Sequence, residues 1–140
     1  MKHPRPRERQ RGSAFVETAL VFTTFAFLVI GAFDFGQFLF VHQALVERAR
    51  NAVRWGAVND PTNVTAVQNM VLYNQATVPT DASSYFGLTT DMVQVSNPGS
   101  GTVDYRLTVL VTNYPYTILS PYIAGTYLGP NIKVSVPLGQ

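Results

Sequence analysis

Two carboxylates, Glu17 and Asp34, stand in a stretch of the chain that is otherwise apolar. An ionised side chain in a hydrocarbon layer costs roughly 2.5–3.5 kcal/mol at the centre and less toward the edge, unless it reaches water or a partner. Glu17 follows the small residues Gly12 and Ser13 at the mouth of this stretch. Its position therefore calls for a cationic partner, and with it a function.

Catalysis finds little support among the residue types present. His3 and His42 are the two imidazoles, and the chain contains no cysteine. No Ser, His and carboxylate grouping forms a recognisable triad, no glycine-rich loop follows a strand, and metal ligands are sparse. We therefore expect no catalytic residues, no cofactor and no metal, and a protein that is not an enzyme.

The apolar stretch from Thr18 to Val41 predicts a helix that spans a membrane. Its one charge is Asp34, and its residues would extend over ~36 Å of helix, enough to cross a bilayer. A buried core helix is the alternative, but eight of the nine phenylalanines lie between Phe15 and Phe40. The remaining sequence is too polar to surround such a surface.

Charge is distributed unevenly along the chain, whose formal net charge is +2. The first twelve residues are strongly basic, and the rest is net negative. The positive-inside rule then places residues 1–12 in the cytoplasm and the C-terminal part outside, although Arg48, Arg50 and Arg54 weaken the asymmetry. A folded part without excess positive charge also argues against nucleic acid as a partner.

Beyond the apolar stretch the helical period continues to about Val58 with an amphipathic pattern. One face is predicted to carry small and apolar residues, and the other is polar: Leu45, Ala49, Ala52, Val53 and Gly56 against Glu47, Arg50, Asn51 and Arg54. Pro61 ends this helix. A second helix, capped by Thr62 or Asn63, is expected to reach about Asn74.

Three strands are predicted in the remainder. Residues 91–97 and 103–112 flank the turn formers Asn-Pro-Gly-Ser-Gly and indicate a hairpin, and 132–136 form a third strand after an irregular connection. The fold class is therefore α+β: a long N-terminal membrane-spanning helix that continues into a small periplasmic head with a second helix and an antiparallel sheet of about three strands. The expected segments are 13–41 across the membrane, 42–59 as the amphipathic extension and 60–140 as the extracytoplasmic head.

Several segments together resemble a known family. They are RGSAFVETALVF, GAFDFGQFLFVHQAL, NAVRWGAV, and LTVLVTNYPY with the late strand NIKVSV. In order and spacing they are similar to the TadE-like family, the minor pseudopilins of tight-adherence (Tad, Flp-type) pilus systems. Thr18 stands where major Flp pilins usually have tyrosine, which argues against a major pilin.

The resemblance implies pilus assembly and surface adhesion rather than catalysis. A prepilin peptidase would cut between Gly12 and Ser13 and remove the leader, residues 1–12. Glu17 of one subunit would then pair with the Ser13 amine of a neighbour. The implied partners are that peptidase, other pilin-like subunits, the assembly machinery and the lipid bilayer, and the implied location is the bacterial inner (cytoplasmic) membrane in a single pass.

Two alternatives remain open at the level of sequence. Asp34 would lie ~26 Å beyond Glu17 along a helix, near the outer interface, where it either reaches water or contacts another pilin-like subunit. The whole chain, in turn, is either a processed pseudopilin or an uncleaved, single-pass membrane-anchored protein whose outer domain binds a partner.

Overall fold

The computed structural model describes residues 8–81, 83–98, 102–120 and 123–138, with side chains from residue 12 onward. It contains two helices and five strands in the order α1, α2, β1 to β5. The bounds are α1 Glu8–Asn59, α2 Val64–Tyr73, β1 Val93–Ser96, β2 Arg106–Val111, β3 Pro115–Ile118, β4 Gly125–Leu128 and β5 Ile132–Pro137. Most of the predicted basic leader, residues 1–7, lies outside the described residues.

Helix α1 is one uninterrupted helix of 52 residues, as the continuous apolar and amphipathic periods predict. It begins at Glu8, before the expected start at Ser13, and it continues through Gly31 and Gly36. It stops at Asn59, two residues before Pro61. Asp60 then turns the chain, because its carboxylate accepts hydrogen bonds from the Thr62 N–H and hydroxyl at 2.9 and 2.7 Å. These bonds hold the Asp60 pKa below its usual value, and the bond from the Thr62 hydroxyl has the larger effect.

The two halves of α1 lie in different surroundings. From Gly12 to Phe40 no residue is buried, and this half is apolar and long enough to be a candidate membrane span. From Val41 onward one face is buried in the head, and Leu45, Ala49, Ala52 and Val53 have no exposed surface. The predicted polar face of this second half is exposed. The amphipathic prediction is confirmed residue by residue.

Helix α2 packs across the second half of α1. The Asn63 side chain caps it by accepting the Ala66 N–H at 3.0 Å, and Asn74 ends it in the left-handed conformation. Gly56 of α1 allows the close approach, because a Cβ there would lie 2.6 Å from Val67 of α2 and 2.7 Å from Leu107 of β2. A larger residue at this crossing would separate the helices from the sheet.

Three strands form an antiparallel sheet in the order β1-β2-β5. The predicted hairpin is present, with Val93 opposite Val111, and β5 pairs with the other edge of β2. The core lies between this sheet and the helices, where Leu107, Val109 and Val111 are fully buried. The α+β prediction and its three strands are confirmed.

A second, two-stranded sheet was not anticipated. The segment read as a connection contains β3 and β4, which pair antiparallel from Pro115 opposite Leu128 to Ile118 opposite Gly125. Asn113 precedes it in a left-handed conformation with φ 54°, which asparagine tolerates better than most residues. We call β3, β4 and the residues between them the β3–β4 hairpin. It contacts α1, and its Tyr116 also packs against the core of the head.

Candidate functional site

The predicted cleavage position lies on the exposed surface of α1. Gly12 and Ser13 are both exposed, and a Cβ placed on Gly12 would meet no atom within 4 Å. The peptide bond between them is therefore not covered by the described part of the chain. Both residues are helical here, so a peptidase that binds its substrate in extended form would have to unwind this first part of α1.

Glu17 lies one helical turn beyond Ser13 and is also exposed. Among the side chains from residue 12 onward that the structure describes, Glu17 forms neither a hydrogen bond nor an ion pair. Neighbouring hydroxyl groups are satisfied locally, since Thr18, Thr23 and Thr24 each donate to the carbonyl four residues earlier at 2.7–2.9 Å. The span thus satisfies these three hydroxyls internally, whereas Glu17 has no partner among the described side chains.

Asp34 is placed differently, because it has partners within the chain. Its two carboxylate oxygens accept the backbone N–H groups of Leu119 at 2.8 Å and Ser120 at 3.0 Å. These donors follow β3, at the tip of the β3–β4 hairpin. The residue is half-buried. The sequence left water or another subunit as its partner, whereas the partners that the structure shows belong to its own chain. Asp34 ties the hairpin tip to α1.

A second tie lies two helical turns further along α1. His42 and Tyr114 are joined by a hydrogen bond of 2.8 Å between Nδ1 and the phenolic oxygen. Phe38, between the two ties, stacks on His42 with ring centroids 6.0 Å apart and lies 4.9 Å from the Tyr116 ring. Asp34, Phe38 and His42 recur every four residues and so form one stripe on α1. The hairpin lies along this stripe.

Tyr114 directly precedes β3 and anchors the end of the hairpin that lies opposite its tip. It is fully buried, and burial, with a smaller contribution from neighbouring Tyr116, raises its pKa. Its ring lies directly against Gly129, where a Cβ would clash with the ring. The Gly129 N–H in turn donates to the Tyr114 carbonyl at 2.8 Å. Gly129 is therefore required to be small, for space rather than for backbone geometry.

Sequence reasoning identified Asp34 but missed His42 and Tyr114 as a pair. The spacing of four between Asp34, Phe38 and His42 was the available signal, since it marks a polar and aromatic stripe on one face of an apolar helix. The partners on the hairpin had no such signal. Among the described residues, no cluster of His, Asp or Glu side chains could hold a metal ion.

Comparison with protein families gives one match, which covers the first half of α1 and most of its second half. Residues 12–54 match the family model described as TadE-like protein. This is the family that the sequence resembles, and the match suggests involvement in Tad pilus systems. It includes Gly12, Glu17, Asp34 and His42, and it ends before α2. Searches of curated proteins and of solved structures found no match for the chain.

Proposed function

We propose that this chain, whose α1 carries the TadE-like match, is a minor pseudopilin that takes part in assembly of a tight-adherence pilus and in surface adhesion. Its α1 anchors it in the bacterial inner membrane in a single pass, with the N-terminus in the cytoplasm and the head outside. The long, exposed and apolar first half of α1 supports this anchoring. The head contributes binding surface and no catalytic step.

The observation that carries the proposal is the contrast between the two carboxylates of the span. Asp34 is satisfied by two backbone N–H groups of its own chain. Glu17 is exposed and has no partner among the described side chains. In a low-dielectric layer an unpaired carboxylate is costly, and a cation from another molecule removes that cost. A subunit that is incomplete by itself is what assembly requires.

Proteolysis would supply the cation. A prepilin peptidase hydrolyses the peptide bond between Gly12 and Ser13 with one water, and the Ser13 nitrogen becomes a charged α-amine near neutral pH. That amine lies four residues, or ~6 Å along the axis, from Glu17. In a packed assembly the amine of one subunit pairs with Glu17 of its neighbour. The pairing fixes the axial register of adjacent helices and recruits other pilin-like subunits.

Mass spectrometry of the membrane-fraction protein tests the processing step. In cells that contain the peptidase we expect the mature chain to begin at Ser13, and in cells without it to begin at Met1. Gly12→Leu should block the cut, whereas Gly31→Leu, at another exposed glycine of α1 with nothing within 4 Å, should leave it intact. A chain that keeps Met1 to Gly12 in the presence of the peptidase overturns the processing step.

An uncleaved, single-pass anchored binding protein is the competing function. It predicts a retained leader, a tolerated Glu17→Ala and protein that stays with the membranes when filaments are sheared off. The pseudopilin function predicts a cut leader and a loss of piliation or adhesion in that variant. Co-purification of the chain with sheared filaments would place it in the pilus; recovery in membranes alone would place it in the assembly complex.

A further inference from the structure

The tip of the β3–β4 hairpin exposes apolar side chains that the head does not cover. At the tip, Leu119 and Ile123 are 57% and 56% exposed; farther from it on β4, Tyr127 and Leu128 are 40% and 64% exposed. No charged residue occurs between Arg106 and Lys133. The polar faces of α1 beyond Val41, by contrast, carry Glu47 and arginines. An uncharged and apolar projection of this kind is suited to an apolar surrounding.

The hairpin places this tip at a definite height on α1. At the end opposite the tip, Tyr114 is hydrogen-bonded to His42. At the tip, the N–H groups of Leu119 and Ser120 donate to Asp34. If the hydrocarbon layer begins near Ser13, its ~30 Å correspond to about twenty helical residues and end near Phe33. Asp34 and the hairpin tip then lie at the outer boundary of the hydrocarbon. Phe33 and Phe35, at the same height on α1, are 64% and 62% exposed.

Several backbone groups of the described tip residues already have hydrogen-bond partners within the chain. Asp34 accepts two of its N–H groups, the Ile123 N–H donates to the Ser120 carbonyl at 3.2 Å, and the Tyr127 hydroxyl donates to the Ile123 carbonyl at 2.9 Å. Unsatisfied backbone groups are expensive in lipid. Satisfying these described groups lowers the cost of placing that part of the turn in a bilayer.

We propose that the tip of the β3–β4 hairpin inserts into the outer-leaflet interface and forms a second membrane contact of the head beside α1. The inference rests on the proposed anchoring of α1 and goes beyond the pilus function. Lipid is the surrounding that α1 already requires at this height, and the exposed Leu119 is hydrogen-bonded to Asp34, which lies between the exposed Phe33 and Phe35 of α1. Tyrosine, of which the hairpin has several, is enriched at such interfaces.

The contact has a consequence for assembly. With α1 alone in the membrane, only the helix limits how far the head tilts over the bilayer. A tip immersed on one side of α1 restricts that tilt and holds the head low over the outer leaflet. Removing the subunit from the membrane would then require both the helix and the tip to leave lipid.

Single-tryptophan fluorescence in phosphatidylcholine vesicles with brominated acyl chains tests the contact. The sole tryptophan, Trp55, is replaced by phenylalanine, and new tryptophans are introduced as Leu119→Trp, Ile123→Trp, Phe25→Trp in the span and Val58→Trp. Val58 is 85% exposed and ~36 Å along α1 from Asp34, so it is the matched exposed control. A tip that reaches ~5–10 Å into the interface should be quenched about twofold more than this control.

The pattern of quenching separates the tip from the anchor. Strong quenching at Phe25→Trp and clear quenching at both tip positions, with little at Val58→Trp, supports the contact. If Phe25→Trp is quenched while both tip positions behave like Val58→Trp and are accessible to aqueous iodide, the tip is left for a protein neighbour and the inference is overturned. If Phe25→Trp is itself unquenched, the anchoring fails and takes the inference with it.

Discussion

At the scale of single residues, the two carboxylates Glu17 and Asp34 of α1 differ in whether their own chain supplies hydrogen-bond donors. Asp34 accepts backbone N–H groups at 2.8 and 3.0 Å from a distant segment of the same chain. Such charge-assisted bonds are stronger than neutral ones. Glu17 has no such donors among the described residues. The first carboxylate is used to build the molecule, and the intermolecular contact that we propose for the second is open to test.

Substitution of Asp34 should loosen the hairpin from α1. Asp34→Ala leaves two N–H groups without their acceptors, so we expect the free energy of unfolding in detergent micelles to fall by about 1–3 kcal/mol. Asp34→Asn keeps an acceptor for one of them and should lose less. Urea titrations followed by near-ultraviolet circular dichroism measure both. An unchanged stability together with lost assembly would instead assign Asp34 to an intersubunit contact.

Substitution of Glu17 should have the reverse effect. Because Glu17 is exposed on α1 and makes no described contact, Glu17→Gln should leave the unfolding of the head within about 0.5 kcal/mol of the parent. Piliation should nevertheless be lost, since glutamine cannot form an ion pair with an amine. Counting sheared filaments tests this. Normal piliation in Glu17→Gln would remove the ion pair from the assembly mechanism.

At the scale of elements, α1 is the part that every other element uses. Its second half supplies one wall of the core, and its stripe from Asp34 to His42 holds the hairpin. The crossing at Gly56 is the tightest of these contacts, because Val67 of α2 and Leu107 of β2 both approach it. Val67 and Leu107 are fully buried, so neither side chain can move aside to make room for a larger residue at position 56.

Gly56→Ala should therefore destabilise the head. The added methyl group would lie 2.6 and 2.7 Å from carbons of Val67 and Leu107, and overpacking of this kind typically costs about 1–3 kcal/mol. The control is Gly36→Ala on the same helix, where nothing lies within 4 Å. We expect that variant to unfold like the parent or slightly later in a urea titration. Equal stability of the two variants would contradict the crossing as described.

At the scale of the whole molecule, one buried phenol makes stability sensitive to alkali. Burial raises the pKa of Tyr114, whereas in the unfolded chain the same phenol ionises near ~10. Between these two values the folded state binds more protons, so stability is fully present below the unfolded value and is lost as the pH rises through the folded one. The hairpin and its contact with α1 should therefore weaken first in alkali.

Tyr114→Phe should reduce this alkaline sensitivity. The variant lacks the titrating group and also the bond to His42, so it should be less stable than the parent at pH 8 by about 0.5–1.5 kcal/mol. Its free energy of unfolding should then fall less steeply between pH 8 and 11 than that of the parent. Denaturant titrations at several pH values measure both slopes. Parallel slopes would show that Tyr114 does not govern the alkaline loss.

The sequence by itself determined the elements whose signals are local. The unbroken apolar and amphipathic periods predict α1 and its buried face, a cap at Thr62 or Asn63 predicts the start of α2, and alternating residues around a turn predict the strands of the main sheet. The weakly patterned strands of the β3–β4 hairpin were missed, because β4 is exposed along its whole length and Pro115 reads as a strand terminator.

Tertiary structure alone decided what completes Asp34. The partners of this carboxylate are backbone N–H groups 85 and 86 residues away, and every residue but proline carries such a group. No side-chain type at positions 119 and 120 could mark them in advance. The sequence shows that a charge in an apolar helix must be satisfied; the fold determines that Asp34 is satisfied from within its own chain, whereas the described side chains supply no partner for Glu17.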